Sequence, residues 1–198
     1  MPAIQLPFSQ NEYDRRLALA RAAMTKKNID LLFLEDPANM AWLTGYDGWS
    51  FYVHQGVIVT MDRDPIWWGR MMDMFGGRRT CWMSHDNIIG YGDHYIQSTE
   101  FHPMADLARI IKDMGYETAR LGVELENYYY SAKAHLVLTF ELPKVTVIDA
   151  TALVNWQRLI KSEDEIAFIE KAARISEKVI TTAIDRAAPG VRKNDLVA

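Results

Sequence analysis

Residues 46–57, with the sequence YDGWSFYVHQGV, concentrate aromatic and polar side chains that could contact a ligand. The candidates are Trp49, Tyr52, His54 and Gln55. The stretch does not alternate apolar and polar residues, as a half-buried strand would. Two interpretations remain open. The aromatic side chains fill a gap in the core, as buried aromatic residues commonly do, or the segment is a loop that presents Tyr52, His54 and Gln55 to a substrate.

A second candidate segment is GYGDHYIQ, residues 90–97. Its two glycines predict a loop, because glycine adopts the backbone angles that tight turns require. Asp93, His94 and Tyr95 therefore become candidates for contacts with a pocket or with a second subunit. The helical pattern resumes only at Pro103.

The sequence pattern predicts neither a metal site nor a catalytic group in this chain. The five histidines, at positions 54, 85, 94, 102 and 135, form no HxxxH or HxH pair. Asp93 and His94 are adjacent, and adjacent side chains of an extended chain point in opposite directions, which makes them a poor chelate. The single cysteine, Cys81, has no base near it in sequence, and we interpret it as a small buried apolar residue.

Composition excludes several classes of partner. The chain has 198 residues, 49% hydrophobic and 24% charged, with a net charge of -4. This charge gives no reason to expect nucleic acid or an anionic membrane surface as partner, and no apolar run reaches the ~20 residues that cross a bilayer. One cysteine and an N-terminal segment without the features of a signal peptide predict a cytoplasmic protein.

Helices and strands alternate over residues 1–150, which predicts an α/β domain with a mixed β-sheet flanked by helices. Capping residues and proline positions predict where the helices begin. Trp67 and Trp68 are expected to place one ring on each face of the sheet. We expect helices over residues 9–28, 36–45, 103–114 and 131–141, and strands over residues 29–34, 56–61, 65–69, 87–91, 120–124 and 145–148.

Residues 151–198 have a different character. Asp149 is expected to cap a helix over residues 150–159, and SEDE, at positions 162–165, predicts a second helix of about 25 residues. The apolar face of this long helix needs a partner to cover it. We therefore expect a linker helix followed by the truncated start of a second domain.

Several stretches are recognisable. RLALARAAMTKKNIDLLFLEDPANMAWLTGY resembles the opening of the creatinase/prolidase family, the pita-bread metallohydrolases, and LIKSEDEIAFIEKAARISEKVI resembles the junction with their catalytic domain. The chain resembles one member of the family more specifically, and that member acts on a small zwitterion. The stretches that carry this likeness are AWLTGYDGWSFYVHQGVIV, DPIWWGR, GYGDHYIQ, GVELENYYYSAKAH and DATALVNWQRLIKS.

The resemblance implies a homodimeric hydrolase with two divalent metal ions in a catalytic domain, bound by two Asp, one His and two Glu. The present chain is expected to end before those ligands and to be inactive alone. The N-terminal loop of creatinase-like dimers helps to close the partner's substrate pocket, and this role would fall to Tyr52, His54 and Gln55. Creatinase offers an Arg to the substrate carboxylate in its loop, whereas this chain has Tyr-Val-His-Gln.

The function implied is that of a non-catalytic, dimer-forming and pocket-closing domain of a dinuclear-metal C–N hydrolase with a small zwitterionic substrate. A histidine can donate to a carboxylate, and an aromatic face attracts a delocalised cation. One alternative is an Xaa-Pro dipeptidase acting on a dipeptide, and another is a creatinase-like amidinohydrolase. An alternative of another class is a stand-alone binding module, because six Trp and nine Tyr suit a recognition surface.

Overall fold

The computed structural model describes residues 6–48, 50 and 52–197. The chain divides into two compact units, Met1–Arg158 and Leu159–Ala198. The first unit is a six-stranded mixed sheet flanked by helices, which confirms the predicted α/β fold class. Trp49, one of the candidate pocket residues, lies outside the described residues.

The elements follow one another in the alternating order that the sequence predicts. The strands are β1 (Leu31–Leu34), β2 (Gly56–Thr60), β3 (Ile66–Arg70), β4 (Ile88–Tyr91), β5 (Arg120–Val123) and β6 (Thr146–Asp149). The helices are α1 (Gln10–Lys26), α2 (Pro37–Thr44), α3 (Met71–Thr80), α4 (Pro103–Asp113), α5 (Ala132–Glu141), α6 (Leu153–Arg158), α7 (Glu163–Arg186) and α8 (Lys193–Val197).

Strand β1 lies inside the sheet, whose order is β4-β3-β2-β1-β5-β6. It pairs antiparallel with β2 and parallel with β5, so that Leu31 lies opposite Thr60 on one side and Leu121 on the other. Successive side chains of a strand point to opposite faces of the sheet. Leu32 and Leu34 accordingly enter the hydrophobic cluster on one face, and Leu31 and Phe33 enter the cluster on the other.

The two tryptophans of β3 follow the same rule. The ring of Trp67 belongs to the cluster that contains Leu32, and the ring of Trp68 belongs to the cluster that contains Phe33. Both side chains are fully buried. The prediction of one ring on each face is therefore confirmed.

Local signals define the helix ends. The Ser9 side chain accepts a hydrogen bond from the backbone N–H of Glu12 at the start of α1. The Asp36 side chain accepts one from the N–H of Asn39 and begins α2, with Pro37 in the first turn. Helix α2 ends at Gly45, whose φ of 80° is in the left-handed region that glycine adopts without strain. The turn after α2 carries the chain into the loop that contains His54.

Two elements differ from the sequence-based expectation. Helix α3 was not predicted, because Gly76 and Gly77 interrupt its only stretch of apolar residues. Helix α6 begins at Leu153 rather than at residue 150, since the Asp149 side chain accepts a hydrogen bond from the N–H of Thr151 and closes a turn instead. Ala152, with a φ of 58°, completes that turn.

The second unit contains α7 and α8. Helix α7 begins with the predicted capping box, in which Ser162 and Glu165 each bond the other's backbone N–H. The side chains of Ile166, Ile169 and Ile180 are exposed along this helix. Among the helices in the described part of the chain, none is long and apolar enough to cross a membrane.

Truncation of a β1 side chain tests the role of this strand. Leu32→Ala should lower the free energy of unfolding by about 2–5 kcal/mol, because it leaves a cavity between the sheet and its helices. Leu136→Ala, on the exposed face of α5, is the matched control and should change it by less than about 0.5 kcal/mol. Urea denaturation measures both values, and equal losses would contradict the assignment of β1 to the core.

Candidate functional site

An open pocket of about 270 Å³ lies beside the loop that precedes β2. Its walls come from this loop, from the end of β4 with the 3-10 turn that follows, and from the start of α4. Three of the predicted site residues line it: Tyr52 and His54 from this loop, and Tyr95 from the distant turn after β4. The other lining residues are Val53, Tyr91, Ile96, Gln97, Ser98, Phe101, His102 and Pro103.

The sheet brings His54 to a partner that follows β1. Strands β1 and β2 are antiparallel with Leu34 opposite Val57, so Glu35, directly after β1, lies near the residues that precede β2. Nδ1 of His54 is 2.9 Å from Oε1 of Glu35. The hydroxyl of Tyr91, the last residue of β4, donates a 2.6 Å hydrogen bond to the backbone carbonyl of His54. Ring and backbone of His54 are therefore both held.

Glu35 is a buried carboxyl group. Burial raises its pKa to about 7, because an apolar environment disfavours the charged form. The hydrogen bond and the charge of His54 act in the opposite direction but are the smaller effects, and the nearby Glu124 adds to the rise. No described residue makes a hydrogen bond with Oε2 of Glu35. The carboxyl group thus depends on His54 for its stabilisation.

His102 forms the other side of the pocket. Its Nδ1 accepts a 3.2 Å hydrogen bond from the backbone N–H of Met104, so that the imidazole caps α4. The pKa of His102 is lowered to about 4, mainly by burial and to a smaller extent by His54 and Lys133. The two rings lie with their centroids 5.0 Å apart. His102 is therefore neutral at physiological pH.

Aromatic side chains form the rim of the pocket. Tyr95 contacts Tyr91 and Phe101 edge to face, with ring centroids 6.0 and 6.3 Å apart. Tyr52, which also lines the pocket, is 67% exposed. The pocket thus combines imidazole groups with a partly exposed aromatic wall.

The remaining candidate residues lie elsewhere. Gln55 is buried, and its side-chain oxygen accepts a 2.9 Å hydrogen bond from the hydroxyl of Tyr46. The carboxylate of Asp93 accepts a 2.8 Å hydrogen bond from Nε of Arg70. The ring of His94 packs against Tyr95 at a centroid distance of 4.2 Å. None of these three side chains is among the lining residues of the pocket that the structure describes.

Sequence reasoning missed Glu35, Tyr91, Phe101 and His102. A signal existed for Glu35, because a carboxylate that directly follows four buried residues at the end of an interior strand needs a partner. His102 directly precedes a proline at the first turn of a helix, which is the position of a capping residue. Neither signal indicates which residue the side chain meets.

A metal site requires several converging ligands. In residues 6–48, 50 and 52–197 there is no group of three or more His, Cys, Asp or Glu that could hold a metal ion. These side chains do not fit the two metal ions that the family resemblance implies. Cys81 is buried, and burial raises the pKa of its thiol to about 12, so the thiolate needed for nucleophilic attack is scarce.

The chain is similar to known hydrolases along its length. The sequence model described as Creatinase/Prolidase N-terminal domain matches residues 16–160. The ectoine hydrolase of Halomonas elongata is 47% identical over all of this chain and 50% of its own length. An uncharacterized hydrolase/peptidase of Sinorhizobium fredii is 40% identical over 98% of this chain and 50% of its own length. The resemblance to ectoine hydrolase that the motifs indicate is confirmed.

The solved structures agree on the fold. An Xaa-Pro dipeptidase from Bacillus anthracis superimposes with a TM-score of 0.70 at 16% identity, over 93% of this chain and 46% of that one. The dipeptidase PepE from Mycobacterium ulcerans gives a TM-score of 0.69 at 18% identity, over 96% and 48%. The chain spans about half the length of the curated relatives it matches.

The burial of Glu35 predicts a pH dependence of stability. Its pKa is about 7 in the folded chain and about 4.3 in an unfolded one, so between these values the folded state holds a proton that the unfolded state lacks. Stability from this group is therefore fully present below about pH 4.3 and declines, by up to about 3 kcal/mol, as the pH rises to 7.

Glu35→Gln should remove that decline, so that the variant gains more stability relative to the parent chain at pH 8 than at pH 5. Urea denaturation at both pH values measures the difference. Glu126→Gln, at an exposed position, is the control and should leave the pH dependence unchanged. The assignment would be contradicted if the stability of the parent chain, relative to that of Glu35→Gln, rose between pH 5 and pH 7.

Proposed function

The chain belongs to the creatinase/prolidase family, and from this premise we propose that it is the pocket-closing and dimer-forming domain of an ectoine hydrolase. The enzyme would open the ring of ectoine by C–N hydrolysis to N-acetyl-diaminobutyrate, in the cytoplasm. The observation that carries the proposal is the 47% identity to ectoine hydrolase over the whole chain. The similarity to dipeptidase structures, below 20% identity, supports the fold alone.

The chemistry of the pocket is consistent with this substrate. Ectoine is a small zwitterion with a carboxylate and a delocalised amidinium ring. The imidazole of His54 can donate a hydrogen bond to a carboxylate, and the aromatic faces of Tyr52 and Tyr95 can attract a delocalised cation. A volume of about 270 Å³ suits a solute of this size.

The two halves of the enzyme would have different roles. The two divalent metal ions, which lower the pKa of bound water and polarise the substrate, would be held by the remaining half of the enzyme. In a homodimer, the loop that contains Tyr52 and His54 would reach the substrate pocket of the partner. This chain then binds and orients the substrate and excludes water, without supplying a nucleophile.

The alternatives rest on other observations. An Xaa-Pro dipeptidase is favoured by the shared fold, and a dipeptide also carries a carboxylate. A creatinase-like amidinohydrolase is favoured by the 25% identity to a creatinase of a Bacillus species over 86% of this chain. A stand-alone binding module is favoured by exposed aromatic side chains away from the pocket, such as Tyr128 and Phe140.

Substrate preference separates the enzymatic candidates. The full-length enzyme, loaded with divalent metal, is expected to hydrolyse ectoine and to leave Ala-Pro and creatine uncleaved. Chromatographic assay of N-acetyl-diaminobutyrate and of released proline measures both activities in the same preparation. Turnover of Ala-Pro without turnover of ectoine would replace this proposal by the dipeptidase.

His54→Ala in the full-length enzyme should weaken substrate binding. If the contact is made equally in ground and transition states, KM rises with little change in kcat. The loss should be about 1–3 kcal/mol, the value of a hydrogen bond to a charged group.

His85→Ala is the matched control, because His85 bonds only the backbone carbonyl of Arg78 among the described contacts and lies outside the pocket lining. Steady-state kinetics with ectoine, together with metal analysis, provide the test. An unchanged kcat/KM in His54→Ala would remove His54 from the substrate contacts.

A further inference from the structure

The two ring nitrogens of His54 have different surroundings. Nδ1 lies 2.9 Å from Oε1 of Glu35 and is occupied by that hydrogen bond. No described residue makes a hydrogen bond with Nε2, and the ring lines the pocket with about 20% of its surface exposed. Nε2 is therefore the nitrogen that a ligand in the pocket can reach.

Nε2 of His54 is a hydrogen-bond donor or an acceptor, depending on one proton that His54 and Glu35 share. The proton can be on the ring, giving a carboxylate beside an imidazolium, in which both nitrogens are donors. It can equally be on Glu35, whose hydroxyl then donates to Nδ1 and leaves the neutral ring protonated at Nε2. Nε2 is thus a donor in both arrangements. When the proton is lost, Glu35 accepts from Nδ1–H and Nε2 becomes an acceptor.

His102 supplies a second donor with a fixed tautomer. Its Nδ1 accepts a hydrogen bond from the backbone N–H of Met104, so the proton of the neutral ring is on Nε2. No described residue accepts a hydrogen bond from that Nε2–H. With the ring centroids of His54 and His102 5.0 Å apart, the pocket contains two neighbouring N–H donors.

Other charged and titratable groups near His54 and His102 also favour an anion in the pocket. Lys133 is close enough to lower the pKa of His102 and adds positive charge on that side. Burial raises the pKa of Tyr91 and of Tyr130, so both keep their protons. The Tyr91 hydroxyl is bonded to the carbonyl of His54, and the Tyr130 hydroxyl lies 3.2 Å from Nδ1 of His135.

Three further acidic groups act on these side chains, and one of them, Asp73, accepts a hydrogen bond from the hydroxyl of Ser50. Glu124 accepts hydrogen bonds from the side chains of Asn39 and Asn127, at 2.5 and 3.0 Å. Asp93, in the 3-10 turn after β4, is paired with Arg70. Each of these carboxyl groups thus has its own donors, whereas Glu35 has only His54 among the described residues.

We propose that the pocket is a carboxylate-binding subsite, in which His54 and His102 donate from Nε2 and Glu35 is the positioning residue that keeps His54 a donor. The inference rests on the proposed function, because the carboxylate would be that of the enzyme's substrate. It adds Glu35 and His102 to the residues that determine which ligand chemistry is accepted.

A pH dependence follows from the shared proton. Below about pH 7 Glu35 keeps its proton, because burial raises its pKa to about 7, so Nε2 of His54 donates and a carboxylate is bound. Above this pH, the lone pair at Nε2 and the negative charge of Glu35 both repel a carboxylate and disfavour its binding. Affinity for carboxylates should therefore fall as the pH rises from 6 to 9.

The parent chain provides the first test, with acetate as probe and neutral acetamide as its control. Long-range ¹H–¹⁵N correlation spectra of the ¹⁵N-labelled chain report which imidazole nitrogen carries a proton. We expect protonated Nε2 in both His54 and His102 at pH 6, with acetate shifting both rings and acetamide shifting neither. A His54 without a proton on Nε2 at pH 6, or equal binding of acetamide, would overturn the proposal.

Glu35→Gln tests the positioning role, since glutamine keeps the shape and a hydrogen bond but not the charge or the exchangeable carboxyl proton. The midpoint of the pH-dependent loss of acetate binding should move to lower pH by about one to three units, as expected when an opposite charge is removed. A residue with a structural role alone would weaken binding at every pH without moving the midpoint.

Glu126→Gln is the control, because Glu126 is exposed and is not among the groups that shift the pKa of Glu35. It should leave the midpoint unchanged. His102→Gln should weaken acetate binding about tenfold or more, the equivalent of one hydrogen bond to a charged group. An unmoved midpoint in Glu35→Gln, or undiminished binding in His102→Gln, would contradict the assignment.

The two experiments distinguish a failure of the proposed function from a failure of this inference. If acetate binds as expected but the full-length enzyme does not hydrolyse ectoine, the subsite stands and the substrate assignment falls. If ectoine is hydrolysed but acetate does not shift the two rings, the substrate assignment stands and the subsite falls.

Discussion

Strand β1 is buried on both faces, and each of the two hydrophobic clusters of the sheet domain contains two of its four side chains. Alternation along the strand sends Leu32 and Leu34 to one face and Leu31 and Phe33 to the other. A shift of one residue in its pairing would exchange the two sets, so the register with β2 and β5 is fixed by packing. The positions of the residues that follow these strands depend on this register.

The polar residues at the end of β1 and β5 illustrate this dependence. Glu35 and Glu124 follow parallel neighbours and leave the sheet at the same edge, where both are buried. Glu124 meets Asn39 of α2 and Asn127, which satisfy its oxygens. Glu35 meets His54, because β2 runs antiparallel and begins close by. Two similar carboxyl groups thus acquire different hydrogen-bond partners from the elements that lie next to them.

The sequence predicted what depends on neighbouring residues. Ser9, Asp36 and Ser162 cap helices through backbone groups at most three positions away, so composition and spacing were sufficient. The strands were recognised from short apolar runs, and the two faces of β3 from the adjacent tryptophans. Helix α3 was missed, since glycines interrupt its pattern and contacts with β3 and β4 stabilise it instead.

The sequence by itself determined the α/β class, the starts of the helices that Ser9, Asp36 and Ser162 cap, and the candidate loop around His54, because each depends on a local pattern of a few residues. The tertiary structure alone decided that Glu35 bonds His54 and that His102 lies beside them. These residues are 19 and 48 positions from His54, and their meeting depends on strand order and register. Burial, which sets the proton affinity of Glu35, likewise exists only after the sheet and its helices have packed.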